Sequence, residues 1–340
     1  MTKKKKAYAR AGVDVDLGNL VKQRIQARVK GTHGPEVLGK IGGFGGLFAP
    51  NFSGMREPVL VASVDGVGTK LKIAFALNRH DTVGADLVNH CVNDIAVLGA
   101  RPLFFLDYIG AEKLEPRVFD QLLSGFTSAC RLAGCALIGG ETAQMPGMYR
   151  KGEYDLAGCI VGVVDRAKMI DGSRIRPGDV ILGLSSNGLH TNGYSLARQI
   201  LFGKMRLKPG SKIAGIKHSL GEELLRVHKN YQPVLTQIPA RMLHGLAHIT
   251  GGGLIDNLPR VLPKNCDAVI NTKTWPVPPI FETLHRHGKV DRAEMYQVFN
   301  MGIGMVAIVA AKDAENVRRQ LKAKKIGRIE RGSGKTQLSW

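Results

Sequence analysis

A short apolar run, residues 58–64, leads into the sequence DGVGTK at residues 65–70. The run predicts a buried strand, and glycines after a strand let the backbone approach an anion closely. Lys70 supplies a positive charge, and Asp65 can hold a magnesium ion. The spacing is not that of a P-loop, because Thr69 precedes the lysine instead of following it. We therefore expect a phosphate-binding strand end in a fold other than that of the P-loop proteins.

Segments with strand and helix patterns alternate through the first half of the chain. The clearest helix spans residues 83–98, with Leu87, Cys91, Ile95 and Leu98 on one apolar stripe. Such alternation is typical of an α/β or α+β sheet fold and argues against a helical bundle or an all-β fold. The other predicted elements are helices at 71–77 and 116–133 and strands at 103–109, 135–138 and 154–164.

A turn-rich segment, residues 171–178, separates this half from a second half of the same style. We expect two domains, residues 1–170 and residues 171–340. The second domain has predicted strands at 180–184, 268–271 and 304–309 and predicted helices at 194–201, 221–235, 278–287 and 312–323.

The composition fits a protein with a packed core in a reducing compartment. Of the 340 residues, 44% are hydrophobic, and the five cysteines include no Cys-x-x-Cys pair, which favours free thiols over a disulfide framework or a zinc site. No apolar run reaches the roughly 18 residues that a membrane helix needs. We therefore expect a cytoplasmic protein without a membrane partner.

The formal net charge of +20 raises the possibility of nucleic-acid binding. The excess charge lies in three segments, residues 1–30, 201–241 and 312–340, and not in the motif-bearing regions. Tyr8 is the one aromatic residue of the first segment, whereas single-strand binding needs aromatics among the basic groups. We therefore favour a solvated basic surface that draws in anionic substrates over a dedicated nucleic-acid function.

The helix predicted at residues 83–98 carries Asp86, His90 and Asp94 at positions i, i+4 and i+8, which places them on one face. For an isolated helix a polar solvent-exposed face is the simpler explanation. The alternative is that Asp94 joins Asp65 as an oxygen ligand of a magnesium ion, which takes one or two carboxylates together with phosphates.

Three further loops carry candidate site residues. Glu141 follows two glycines directly after a predicted strand, where sheet ends form ligand crevices. Residues 185–195 place His190, which titrates near neutral pH, before a helix, although Thr191 or Asn192 could simply cap that helix.

Residues 250–253, with three glycines, allow close approach to a phosphate. His244 and His248 have a zinc-compatible spacing, but the spacing suggests no third ligand.

These motifs, in this order and at this spacing, resemble one family over nearly the whole chain: the phosphoribosylformylglycinamidine cyclo-ligases, or AIR synthetases, of purine biosynthesis. The resemblance implies a two-domain α/β (α+β) fold whose N-terminal sheet domain forms a homodimer. The matching segments are residues 11–16, 42–45, 65–70, 91–94, 104–108, 139–149, 190–196, 250–253, 257–263, 294–296 and 299–302.

The resemblance implies ATP-dependent cyclisation of formylglycinamidine ribonucleotide through an iminophosphate intermediate, with ATP and Mg²⁺ bound near the glycine-rich segment. It makes Asp65, Asp94 and Glu141 the metal ligands, and His190, Lys70 and Asp65 the catalytic candidates. The implied ATP contacts are Gly43, Gly45, Asp65, Gly66, Gly68, Thr69, Lys70, Asp94, Gly140 and Glu141. The implied substrate contacts are His190, Thr191, Asn192, Gly251, Gly252 and Gly253.

The chain departs from the family pattern at Ala9 and Gln26, where lysines are usual, and Lys22, Arg24 or Arg28 are candidates to replace them. The alternatives within the superfamily are selenophosphate synthetase, thiamine-phosphate kinase and formylglycinamidine ribonucleotide synthase. Selenophosphate synthetase usually carries a reactive Cys or selenocysteine in its glycine-rich arm, whereas the first cysteine here is Cys91. The synthase is usually longer. A basic RNA-binding protein is the alternative from another class.

Overall fold

The computed structural model describes residues 7–11, 13, 26–113 and 115–340. Two mixed sheets organise this part of the chain. The first has four strands in the order β1-β4-β2-β3, in which β2 and β3 are parallel and the other neighbours are antiparallel. Its strands are β1 (Pro58–Gly66), β2 (Arg101–Ala111), β3 (Ala136–Gln144) and β4 (Tyr154–Asp165).

Helices cover one face of this sheet. The longest, α4, begins with a proline at its first position and ends at Gly134, whose φ of 68° supplies the left-handed turn that closes it. Its bounds match the sequence prediction, and it packs against α3. The helices of this half are α1 (Ala7–Arg10), α2 (Leu71–Leu77), α3 (Val83–Ala96) and α4 (Pro116–Ala133), and residues 26–30 are also helical.

On the other face of the four-stranded sheet, several apolar side chains of β1 and β2 are exposed within the described part of the chain. Side chains of β1 alternate between half-buried positions that face the helices and exposed positions. Leu60 and Val64 are 63% and 69% exposed, and Tyr108 on β2 is 36% exposed. An apolar sheet face of this kind is typical of an interaction surface.

The second sheet has six strands in the order β10-β7-β9-β5-β8-β6, with β10 and β7 parallel and the other neighbours antiparallel. All seven residues of β8 are buried, as its uninterrupted apolar sequence predicts. The strands are β5 (Val180–Ser185), β6 (Gly245–His248), β7 (Cys266–Asn271), β8 (Ile303–Val309), β9 (Lys324–Arg331) and β10 (Thr336–Ser339). No sequence pattern predicted β6, β9 or β10.

The helices of the second half are short. They are α5 (Tyr194–Arg198), continued by a π-helical turn at Gln199–Lys204, then α6 (Leu220–Leu224), α7 (Gln232–Leu235), α8 (Gly253–Asn257), α9 (Pro279–Gly288), α10 (Arg292–Val298) and α11 (Ala314–Leu321). Single 3₁₀ turns occur at Gly68–Lys70, Arg166–Lys168, Ala240–Met242 and Leu258–Arg260. None of the helices in the described ranges has both the length and the apolar character needed to cross a bilayer.

The prediction of a single helix at residues 221–235 is wrong. The structure has α6 and α7 with an irregular segment, residues 225–231, between them. Side chains of α3 bind the backbone of this segment: Asp86 accepts from the amide of His228 at 2.7 Å, and Asn93 accepts from the amide of Tyr231 at 2.8 Å. Because these backbone groups bond to another element, they are not available for helix hydrogen bonds.

Candidate active site

The end of β1, helix α3 and two loops of the second sheet meet at one cleft. Asp65 ends β1, and its carboxylate Oδ2 lies 2.8 Å from Nε2 of His90 on α3. Nδ1 of His90 lies 2.9 Å from the hydroxyl of Thr191, in the loop after β5. The first sheet and the second are therefore joined by a direct hydrogen-bonded path.

A second path returns from Thr191 to α3. The Thr191 hydroxyl lies 3.2 Å from Nδ1 of His228, and Nε2 of His228 lies 2.9 Å from Nε2 of His248. Nδ1 of His248 then lies 2.8 Å from Oδ1 of Asp94, whose Oδ2 accepts a hydrogen bond from the Ser63 hydroxyl at 3.1 Å. The chain of contacts thus begins and ends on a carboxylate.

This chain has five hydrogen bonds, and each bond needs one hydrogen atom. Neutral His90, Thr191, His228 and His248 together supply four. Because the pKa values of Asp65 and Asp94 are lowered, both carboxyl groups are ionised, and the fifth hydrogen is an additional proton on one histidine. Burial alone would lower the pKa of His90, but its hydrogen bond to one carboxylate and the charge of the other outweigh burial and raise that pKa. Burial lowers the pKa of both His228 and His248. The additional proton therefore belongs on His90.

The two carboxylates stay ionised and reach the surface of the cleft. Burial alone would raise the pKa of Asp65 and of Asp94, but hydrogen bonds from His90 and His248, respectively, outweigh burial and lower both pKa values. The side chains of Asp65 and Asp94 are 39% and 24% exposed, whereas the two imidazoles are at most 4% exposed. The cleft therefore presents negative oxygen atoms backed by buried imidazoles.

Lys70, which the sequence predicts as a phosphate partner, is turned away from the cleft. Its Nζ donates to Oδ1 of Asp86 at 2.8 Å and to the backbone carbonyl of Arg226 at 2.7 Å, and its side chain is fully buried. Because α3 places an aspartate beneath the loop, the buried ammonium group pairs with that carboxylate, and a contact of Lys70 with phosphate stays a prediction. In this arrangement Lys70 holds the loop in place.

His190 is also buried. Its ring stacks on His228 with 4.1 Å between centroids, and its Nε2 accepts from the amide of Asn187 at 3.4 Å. Its Nδ1 has no partner within the described part of the chain. Burial and nearby positive groups lower its pKa well below the usual range. His190 is therefore neutral near pH 7, and its contact with a substrate stays a prediction.

The other predicted substrate loops do meet at the rim of the cleft. The hydroxyls of Thr69 and Ser195 lie 3.0 Å apart, which brings residues 65–70 next to the first turn of α5. Asn192 is half-buried beside Gly251: a Cβ built on that glycine would lie 3.3 Å from the Asn192 carboxamide oxygen. Gly251 is exposed, whereas Thr191 is buried, as is Gly253.

Glu141 lies elsewhere, on the wall of a cavity of about 610 Å³. The strand order puts β4 and β2 between β1 and β3, so Asp65 and Glu141 are roughly 14 Å apart at the usual strand spacing. One magnesium ion cannot be held by both. The cavity is also lined by Gln26, residues 40–46, Leu106, Asp107, Phe119, Leu123, residues 137–140 and Thr142.

The cavity brings together predicted ATP-binding residues of the glycine-rich segment, Gly43 and Gly45, with Gly140 and Glu141. Asp107 adds a carboxyl group whose pKa is raised to about 7 by burial and by the nearby Glu141. Of the residues proposed to replace the family lysines, Arg28 donates to the backbone carbonyl of Asp120 at 2.8 Å, whereas Lys22 and Arg24 lie outside the described residues. The predicted ATP contacts therefore fall in two places, the cavity and the cleft.

No sequence motif identified His228 as a site residue, and none assigned a role to His248. His228 lies in the stretch that was predicted as a helix, and no motif surrounds it. His248 follows the apolar strand β6 directly and precedes the glycine turn, and this position at a strand end was the available signal.

Two family models match the chain. The model described as "AIR synthase related protein, N-terminal domain" matches residues 55–164, and the model described as "AIR synthase related protein, C-terminal domain" matches residues 176–338. Together they span most of the chain and contain every residue of the hydrogen-bonded chain between Asp65 and Asp94.

Solved structures of the same fold have low sequence identity. Thiamine-monophosphate kinase from Stenotrophomonas maltophilia superposes with a TM-score of 0.69 at 19% identity, covering 93% of this chain and 95% of that one. Hydrogenase maturation protein HypE in complex with ATP superposes with a TM-score of 0.65 at 18% identity, covering 93% and 90%. These similarities establish the two-domain mixed α/β fold.

Curated relatives are much more similar in sequence. The phosphoribosylformylglycinamidine cyclo-ligase of Syntrophotalea carbinolica is 53% identical over 94% of this chain and 91% of its own length. The protein of the same name from Pseudothermotoga lettingae is 52% identical over 92% of both. With two domain matches and this identity over nearly the full length, the chain belongs to the phosphoribosylformylglycinamidine cyclo-ligase family.

Proposed function

We propose that the chain catalyses the ATP-dependent cyclisation of formylglycinamidine ribonucleotide to aminoimidazole ribonucleotide in purine biosynthesis. The observation that carries the proposal is the cleft in which the half-buried Asp65 and Asp94 are held by buried histidines, in a chain about half identical to curated cyclo-ligases. The names of the curated relatives give the reaction, and the cleft supplies carboxylates whose charge suits it.

The proposed reaction has two stages. The γ-phosphoryl group of ATP is transferred to the formyl oxygen of the substrate and the formamide nitrogen loses its proton, which forms an iminophosphate and releases ADP. The amidine-side nitrogen then bonds to the former formyl carbon, and the bond from that carbon to the phosphorylated oxygen breaks, so that phosphate leaves with the oxygen. The attacking nitrogen also loses a proton. The protein mainly has to position the groups and offset charge.

Magnesium fits Asp65 and Asp94 as ligands. Both carboxylates face the cleft, both contact His90 Nε2, at 2.8 and 3.9 Å, and both stay ionised near pH 7 because their pKa values are lowered. Carboxylate oxygens are the ligands that this ion prefers. When bound, it would offset the charge of the phosphates. Glu141 does not fit the same ion, because two strands separate it from Asp65.

The ATP molecule has two candidate contact regions. Gly66, Gly68 and Thr69 at the end of β1 have exposed or half-buried backbone beside the carboxylates, which suits phosphate groups. The cavity lined by the glycine-rich segment and Glu141 has a volume of about 610 Å³, in the range of nucleotide-sized pockets. We propose that these regions together contain the ATP contacts, with Gly43, Gly45 and Gly140 in the cavity wall.

The substrate side of the cleft is formed by Asn192 and the turn of Gly251, Gly252 and Gly253. A turn of three glycines next to a carboxamide offers backbone N–H groups and a polar side chain to a ribose phosphate. Thr191 lies beneath this rim, where it links His90 to His228. His190, stacked under the same loop with a lowered pKa, is a supporting residue of the cleft in this proposal and not its general base.

We place residues 1–170 in an N-terminal domain and residues 171–340 in a C-terminal domain, and we propose a cytoplasmic homodimer. The face of the four-stranded sheet on which Leu60, Val64 and Tyr108 are exposed supports dimerisation through that sheet. Sedimentation of the purified chain tests this assembly, and a monomer that persists at high concentration would contradict it.

The direct test of the proposed reaction is an assay of the purified full chain with ATP, Mg²⁺ and formylglycinamidine ribonucleotide. We expect ADP, phosphate and aminoimidazole ribonucleotide to form in equal amounts. A folded protein that yields no aminoimidazole product would rule out the proposed reaction. Thiamine monophosphate is the control substrate, because one structural neighbour is named a thiamine-monophosphate kinase. We expect this chain not to phosphorylate it.

A further inference from the structure

His90, Asp94 and His248 form a triangle of metal-ligating side chains in the wall of the cleft. One potential ligand atom from each residue lies within 4.8 Å of the other two. Asp65 borders the triangle, with its Oδ2 2.8 Å from Nε2 of His90. We propose that this triangle binds a borderline divalent transition ion of the class represented by Zn²⁺.

The donor set favours this class of ion over magnesium. Two imidazole nitrogens and one or two carboxylates are the usual ligands of zinc sites that keep a position open for water or substrate. Magnesium is bound mainly through oxygen and retains several waters, so the two imidazoles add little for it. The triangle is therefore a second kind of site that shares Asp94 with the proposed magnesium site.

The orientation of the two imidazoles supports ligation. Nε2 of His90 lies 3.9 Å from Oδ2 of Asp94, and Nδ1 of His248 lies 2.8 Å from Oδ1 of the same carboxylate. The opposite nitrogen of each ring already has a hydrogen-bond partner, the Thr191 hydroxyl for His90 and the His228 imidazole for His248. Metal-binding histidines are commonly fixed in this way, with one nitrogen toward the ion and the other held by a neighbour. Zn²⁺ would take the place of the hydrogens that His90 and His248 direct at the carboxylates, so binding would release protons, including the additional proton of His90.

An ion can reach the triangle from the cleft. The side chain of Asp94 is 24% exposed and that of Asp65 is 39% exposed, whereas both imidazoles are buried behind them. A transition ion bound here would occupy the carboxylate that the magnesium proposal uses, so the two ions would compete. Ion binding itself is measured without ATP or ribonucleotide and does not depend on the cyclo-ligase reaction.

Equilibrium dialysis of the full chain against Zn²⁺, with Mg²⁺ in excess, tests the site. We expect one Zn²⁺ per chain, and we expect His90→Gln and His248→Gln each to weaken Zn²⁺ binding at least about tenfold. The matched control is His287→Gln, on an exposed position of α9, which should bind Zn²⁺ like the unaltered chain. Zn²⁺ binding that is absent, or equal in all three variants, would overturn the proposal.

The visible spectrum of Co²⁺ added to the unaltered chain gives a second test that does not depend on the folding of any variant. We expect the intense bands of a four- or five-coordinate ion, and Zn²⁺ should abolish them. The weak spectrum of hydrated Co²⁺ would contradict the site. If the chain forms aminoimidazole ribonucleotide with Mg²⁺ but does not bind Zn²⁺, only the zinc site is rejected. If the chain binds Zn²⁺ but forms no product, only the proposed cyclo-ligase reaction is rejected.

Discussion

Lys70 and Asp86 form an ion pair with 2.8 Å between Nζ and Oδ1, and both side chains are completely buried. The pair ties the loop of residues 65–70 to α3, and the second hydrogen bond of Lys70, to the carbonyl of Arg226, ties both to the second half of the chain. The lysine that looks most like a phosphate ligand in the sequence therefore stabilises the junction on which the cleft depends.

Replacing Lys70 with Met should lower stability strongly, because it leaves the Asp86 carboxylate buried without its counter-charge. We expect a loss of about 3–5 kcal/mol in the free energy of unfolding, measured by urea denaturation. Adding Asp86→Asn should restore a substantial part of this loss, since the amide is neutral and its oxygen can still accept from the His228 amide. A stable Lys70→Met protein with only a raised KM for ATP would support the phosphate role instead.

Replacing Thr191 with Val should weaken the junction between the two halves. The substitution preserves shape but removes the hydroxyl that bridges His90 and His228, at 2.9 and 3.2 Å, and leaves buried imidazole nitrogens unpaired. We expect a loss of about 1–3 kcal/mol in urea unfolding. The control is Thr283→Val on α9, where the threonine is half-buried and its hydroxyl donates to the Pro279 carbonyl of its own helix, and a loss there as large as at Thr191 would refute the bridging role.

The buried His190 should make the protein less stable in mild acid. Its pKa is near 6.5 when the chain is unfolded and is lowered well below that in the folded state by burial and by nearby cationic groups. Below about pH 6.5 the unfolded chain therefore binds more protons, and the free energy of unfolding falls as the pH falls, by at most about 1.4 kcal/mol per pH unit for one group.

The substitution His190→Asn should reduce this acid sensitivity, because asparagine does not titrate and tolerates the φ of 61° at this position. Thermal unfolding between about pH 7 and pH 5 measures the effect. The surface variant His287→Asn provides the comparison and should keep the slope of the unaltered chain. An unchanged slope in His190→Asn would contradict the burial of a neutral imidazole at this position.

Gly304 in β8 should not tolerate a methyl group. A Cβ there would lie 2.2 Å from the Tyr231 hydroxyl and 2.5 Å from Cε1 of His190, so the histidine cluster would have to move. We expect Gly304→Ala to cost about 1–3 kcal/mol in thermal unfolding. Gly210→Ala, where a Cβ meets no described atom within 4 Å, should stay within about 0.5 kcal/mol, and equal effects at both positions would contradict the packing.

Elements with local signals were predicted from the sequence. Proline at the start and Gly134 at the end of α4 define its bounds without reference to the rest of the fold. The uninterrupted apolar residues of β8 likewise predict a buried strand. Asp86, His90 and Asp94 share a face of α3 as their spacing requires, and all three contact the second half of the chain through their side chains.

Contacts between distant segments were not predictable in the same way. The irregular segment at residues 225–231 has a helix-like apolar pattern, and it is fixed instead by Asp86, Asn89 and Asn93 of α3, more than 130 residues earlier. His228 reaches the cleft because of those contacts. The placement of Glu141 away from Asp65 follows from the strand order, which a single sequence does not reveal.

We propose that the half-buried carboxylates of the cleft, Asp65 and Asp94, carry an ATP-dependent ring closure. The most direct measurement is kcat/KM for aminoimidazole ribonucleotide formation by the unaltered chain, Asp94→Asn and the surface control Asp171→Asn. We predict turnover that falls at least about 100-fold in Asp94→Asn and is unchanged in Asp171→Asn, with both variants folded. Full activity in Asp94→Asn, or no product from the folded unaltered chain, would contradict the claim.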